Sequence, residues 1–241
     1  MQAGTVMGVN TIPINQTQSR HYPQTQDPRL WLLLSPTLPV GGYSYSHGLE
    51  SAVRHQLIKD LADTSAWIST LAQRVLPNLD LPLVHRLLRA CNDGDLSCAN
   101  YWNDVAHATR ESAELLLEET EKGRALVNLY PSLGITNVLA IDQPGFCAAY
   151  AQVCHNWRLP IRDALMGYGW VWFEMLTAAA VKLVPLGHTQ GQRLLLDCTA
   201  QLRDLTETAM NCADDDIGAS APGLMMLSAA HETQPARQFR S

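Results

Sequence analysis

A chain of 241 residues with 46% hydrophobic side chains is long enough to bury the core of one large domain or two small ones. Its formal net charge of −6, with no cluster of Lys or Arg, excludes nucleic acid as a main ligand, because neutralising phosphates needs a basic face. Only 17% of residues are charged, so the surface is expected to bury apolar area against other proteins.

Residues 1–28 are rich in Gln and Thr and carry no helical or alternating apolar pattern. They cannot bury enough to offset their ordering entropy, and are expected to form a disordered tail ahead of a domain over 29–241. The segment lacks the basic start and apolar run of a secretory leader, which points to a cytoplasmic chain. Its six cysteines are then reduced, small apolar residues rather than disulfide partners.

The stretch LLLSPTLPVGGYSYSHGLESAV follows, from Leu32 to Val53. It has neither the spacing nor the lysine of a phosphate loop, and GYSYS lacks the closing glycine of a nucleophile elbow. Gly41 and Gly42 supply a tight turn after Pro39, and Ser44 or Ser46 caps a helix starting near Gly48. Tyr43 and Tyr45 are large amphipathic rings, suited to an interface or a core wedge, and the loop is expected to present them to a neighbour.

From Trp67 the periodicity is helical throughout. Ile68, Leu71, Ala72 and Val75 recur at steps of three and four until Pro77 interrupts. Val84, Leu87, Leu88 and Cys91 form a second stripe, and NDGD over 92–95 is a turn. One stripe is expected from Trp102 through Val105, Ala106, Thr109 and Ala113 to Leu117. Glu111, Glu114, Glu118 and Glu121 lie opposite it, on what reads as a solvated face. After Gly123 a short helix, RALVNLYPSLG, ends at Pro131 and Gly134. Phe146, Ala149, Tyr150, Val153, Cys154 and Trp157 make the next amphipathic stripe. A helix from Pro160 to the vicinity of Pro185 is apolar nearly all round. It approaches the length of a membrane span, but Glu174, Lys182 and its many Ala and Gly favour a buried core helix. A helix over Thr189–Cys212 and a last one from Pro222 complete an all-α domain of about eight to ten helices.

Chemistry-bearing patterns are scarce. No two histidines lie four apart, HETQP lacks the final histidine of a zinc-protease helix, and there is no C-x-x-C. No catalytic, metal or cofactor residue is expected. Glu174 and Lys182, single charges in an apolar helix, suit either an internal partner or a polar contact to another protein.

Four blocks in order resemble the urease accessory protein F (UreF) family: LLLSPTLPVGGYSYSHGLE, TRESAELLLEETEKGRALVNLYPSLG, AAAVKLVPLGHTQGQRLLL, and HETQ with RQFRS at the C-terminus. The resemblance runs from about Arg29 to Ser241. It implies an all-α, non-enzymatic homodimer that joins accessory protein D/H to the nickel-carrying GTPase G for nickel insertion into apo-urease. On that resemblance Tyr43 and the segment with Arg237, Phe239 and Arg240 support docking of protein D/H, while Lys182 contacts the GTPase. Residues 233–241 are then a tail that orders on partner binding. The chain departs from the family pattern at Ala230, Pro235 and Gln238, which removes a charge and two anchors. Two other readings stand beside it. An all-α enzyme would build a site near Tyr43, His47 and Glu50, marked by a deep polar pocket. A nickel-binding protein would use His or Cys side chains.

Overall fold

The computed structural model describes residues 27–240, and among them there are eleven α-helices and no strand. Two are short: α1 (Pro28–Leu33) and α2 (Leu49–Arg54). The other nine have nine residues or more: α3 (Leu61–Val75), α4 (Leu81–Asp93), α5 (Leu96–Ala108), α6 (Ala113–Leu133), α7 (Phe146–Asn156), α8 (Ile161–Leu183), α9 (His188–Thr199), α10 (Leu202–Met210) and α11 (Pro222–Glu232).

Several boundaries follow local chemistry. Asp60, Asp95 and Ser112 accept the N–H of Asp63, Cys98 and Leu115, each satisfying a donor at the start of α3, α5 and α6. Gly94 and Gly134 end α4 and α6 in the left-handed region, at φ +71° and +69°, where a Cβ would be strained. The first helix begins inside the segment expected to be tail. Pro28 occupies its first turn, and the Asp27 side chain caps it by accepting from Arg29 N–H. Residues 1–26, the rest of that expected tail, lie outside the described residues.

Other boundaries differ from the periodicity. Pro77 does not stop the chain: Leu76–Asp80 form a π-turn that carries α3 directly into α4. The stripe from Trp102 to Leu117 is two helices, divided at residues 109–112. Gly123 lies in the middle of α6 instead of ending a helix, because the backbone of Pro144 and Gly145 crosses there. A Cβ on Gly123 would stand 2.4 Å from the Pro144 carbonyl oxygen. The expected helix over 189–212 divides into α9 and α10. Gly48, at φ +72°, precedes α2, and the Ser46 hydroxyl accepts the N–H of Glu50, the second residue of that helix.

The core is organised on α4 and α8. Helix α4 packs on α5, α7, α8 and α10, while α8 touches α1, α2, α3, α9 and α10 as well. Among the described residues α8 is the one helix long and apolar enough to cross a membrane, and 67% of its apolar window is buried inside the fold. Gly167, Gly169 and Gly191 let neighbours approach α8 closely: their Cβ positions fall against Tyr150, Leu202 and Val181. Cys91, Cys147, Cys154 and Cys198 are buried and free, as the apolar reading of the cysteines expects.

Candidate partner-docking site

The loop ahead of α2 is shaped by its glycines. Gly41 turns the chain at φ +73°. Gly42 packs closely on α8: a Cβ there would meet Met175 Sδ at 2.9 Å, so that flexible side chain would have to shift. The two tyrosines then part. Tyr45 is only 1% exposed and wedges into the core, with no hydrogen-bond partner for its hydroxyl among the described residues. The expectation that the loop offers both rings to a neighbour is therefore corrected. Tyr43 is half-buried, and its hydroxyl donates to Glu174 Oε2 at 2.6 Å. Burial first, then the Glu174 carboxylate, pushes that phenol well above its ordinary pKa, so it stays a donor. Glu174 thus has an internal partner.

The C-terminal segment folds back on the same region. Gln238 N–H donates to Glu50 Oε1 and Phe239 N–H to Glu50 Oε2, both at 2.8 Å. Arg240 N–H donates to the Ser44 carbonyl at 2.7 Å, beside Tyr43. Arg237 Nη1 reaches Glu114 Oε1 at 3.0 Å. Phe239 is 6% exposed, and the Lys182 ammonium stands 5.4 Å above its ring. Lys182 is exposed, so it reaches along the surface to the tail instead of being stranded in the apolar face of α8. Tyr43, Lys182, Arg237, Phe239 and Arg240, spread over almost the whole chain, meet in one region. A segment expected to order on a partner is here held by the chain's own groups. The departure at Gln238 is not felt at Glu50, since the contact uses the backbone N–H.

Sequence reasoning missed what anchors this region. His231 is fully buried between two carboxylates, with Nε2 3.1 Å from Glu50 Oε2 and Nδ1 3.0 Å from Glu114. It sits in the HETQ block, the only signal for it in the sequence. The acidic residues of α6 were expected on a solvated face. Instead Glu114, Glu118 and Glu119 are 6%, 4% and 4% exposed, because cations from other segments meet them. Glu118 Oε1 lies 2.9 Å from both His47 Nε2 and Lys122 Nζ. Arg110 bridges Asp80 at 2.7 Å and Glu119 at 2.8 Å. Burial pushes the Glu118 carboxyl up, but His47 and Lys122 outweigh it and hold it at about 2.

The enzyme reading needs Tyr43, His47 and Glu50 to converge. They bond instead to Glu174, Glu118 and the tail respectively. The cavity beside Tyr43 measures about 20 Å³, room for a single water. Among the described residues no three His, Cys, Asp or Glu side chains are grouped to hold a metal ion.

The UreF family model matches residues 58–199. Among similar curated proteins, the urease accessory protein UreF of Psychrobacter cryohalolentis is 40% identical over 220 residues, covering 88% of this chain and 93% of its own length. That of Alkalilimnicola ehrlichii is 37% identical over 216 residues, covering 88% and 95%. That of Marinobacter nauticus is 38% identical over 214 residues, covering 88% and 93%. With a family match over more than half its length and relatives 37–40% identical over 88% of it, the chain belongs to the UreF family.

Proposed function

We propose that the chain serves urease maturation as a non-catalytic cytoplasmic scaffold. It acts as a homodimer that joins accessory protein D/H to the GTPase G, so that nickel carried by the GTPase reaches apo-urease. The observation that carries this reading is the meeting of Tyr43 and Lys182 with Arg237, Phe239 and Arg240 on one region. Relatives named as accessory proteins, 37–40% identical over 88% of this chain, give it its biological setting. A region of this kind has what docking uses: the half-buried Tyr43 ring, exposed cations at the rim and backbone held by hydrogen bonds. Lys182 and Arg240 are exposed cations in a net acidic molecule, a combination that favours an acidic partner surface and penalises others. Gating the GTPase needs no chemistry on this chain, only unequal affinity for its nucleotide states.

The test is co-purification with protein D/H and the GTPase, together with activation of apo-urease. Lys182→Ala is expected to weaken capture of the GTPase, and a chain stopped after Gln234 to weaken capture of protein D/H. Both should keep the helical circular dichroism of the parent. If both variants assemble and activate urease as the parent does, the assignment fails.

A further inference from the structure

We propose that His85 and Arg86 form a pH-sensitive latch on the connection between α10 and α11, closed while the imidazole is neutral and opened by its protonation. The inference goes beyond the docking reading and does not rest on it. After α10 the chain crosses to the π-turn, where Gly218 N–H donates to the Asn78 carbonyl at 2.8 Å. None of residues 211–220 is buried, so polar bonds rather than apolar packing hold this strap. One guanidinium supplies two of them. Arg86 Nη2 donates to the Cys212 carbonyl and Nε to Asp214 Oδ1, both at 2.6 Å. The third arm, Nη1, donates to His85 Nδ1 at 3.1 Å. Arginine has no acceptor, so Nδ1 carries the lone pair and the ring proton sits on Nε2.

A second proton can bind only at Nδ1, where it turns the acceptor of Arg86 into a donor facing a donor. Two cations would then meet beside a ring that is 7% exposed, with little water to screen them. The charged groups that act on the ring, Arg86 and Arg89, are both cations of α4 itself. Among the described residues no charge from the π-turn, α5, α7, α8 or α10, which pack on α4, acts on it. Of the carboxylates on the strap, Asp214 is bonded to Arg86 and Asp216 acts on Cys212. Burial, then the two arginines, hold the imidazole at about 4, below its ordinary 6.5. A pKa depressed in the closed state favours closure above 6.5 and opening as pH falls toward 4, by up to about tenfold per pH unit. Once Arg86 leaves the ring, Cys212 and Asp214 lose their common donor.

Amide exchange on the full chain tests this, read as protection relative to an unstructured peptide at the same pH. The N–H groups of Asp216, Ile217 and Gly218, bonded to the carbonyls of Ala213, Asp214 and Asn78, report on the strap. Their protection should fall about 10–100-fold from pH 6.5 to pH 4, while α7 and α8 keep theirs. His85→Gln retains a neutral acceptor for Arg86 and does not titrate, so its strap should be as protected at pH 4 as at pH 6.5. Asp214→Asn should lower protection at both pH values yet keep the fall between them, which separates the imidazole from the carboxylate. Arg86→Gln should free the three amides at either pH. Equal protection at the two pH values in the parent would overturn the proposal. So would a fall that survives His85→Gln, vanishes in Asp214→Asn or spreads equally over α7 and α8, and so would a strap still protected in Arg86→Gln.

Discussion

Gly123 shows how much a single Cβ can decide. Its nearest neighbours would be backbone atoms, the Pro144 oxygen at 2.4 Å and the Gly145 carbonyl carbon at 2.5 Å, which cannot swing aside. Gly123→Ala is expected to cost about 2–3 kcal/mol in urea unfolding, while Gly218→Ala should change stability by less than about 0.5 kcal/mol. At Gly218 a Cβ meets nothing within 4 Å. Two titrating residues contribute to the pH dependence of stability. Burial, then Arg86 and Arg89, push the His85 imidazole from 6.5 down to about 4. Its folded pKa lies below the unfolded one. Its contribution is therefore full above about 6.5 and is lost as pH falls toward 4. Glu118 is a carboxylate held at about 2, so its contribution is present above 4.5 and lost as pH falls through about 2. The urea midpoint of His85→Gln should lose its slope between pH 6.5 and 4 and keep the more acidic one; an unaltered upper slope would assign that titration to another group. Glu118→Gln should cost roughly 3–5 kcal/mol at neutral pH, because it leaves His47 and Lys122 with a poorer partner in the interior.

Among the elements, α6 joins the docking region to the core. Its polar residues pair with His231 and Arg237 near its start, and with His47, Lys122 and Arg110 in its middle turns. Ser112 caps α6 and also bonds Ser228 of α11 at 2.7 Å. Ser112→Ala is expected to lower stability by about 1–2 kcal/mol and to speed amide exchange in the first turn of α6; an unchanged unfolding midpoint would mean the cap contributes nothing. Helix boundaries were legible where local chemistry sets them, as at the turn over 92–95 that holds Gly94 and at Gly134; the start of α3 at Asp60, ahead of the stripe read from Trp67, was not. They were not legible at Gly123, where a crossing segment made glycine necessary inside a helix. Nor were they at Pro77, where a π-turn absorbs the proline and the chain continues. The fate of α8 was legible because nearly every face of it is apolar.

For the whole molecule, the homodimer expected of the chain predicts a species of twice the 26.6 kDa chain mass by size exclusion with light scattering; a single-chain mass at working concentrations would remove that part of the proposal. Apolar residues such as Trp31, Leu117, Leu196 and Met226 are exposed. By itself the sequence determined the all-helical architecture, the core role of α8 and the absence of a motif for catalysis, because helical periodicity, capping and motif spacing are written within a few turns of chain. Only the tertiary structure decided that Glu114, Glu118 and Glu119 of α6 are interior, that Tyr45 is core while Tyr43 is half-exposed, and that Glu50 bonds the C-terminal segment. Whether a carboxylate is solvated or buried depends on which distant cation packs over it. His231 lies 181 positions from Glu50 along the chain and 3.1 Å from it in the fold, a distance that no local pattern encodes.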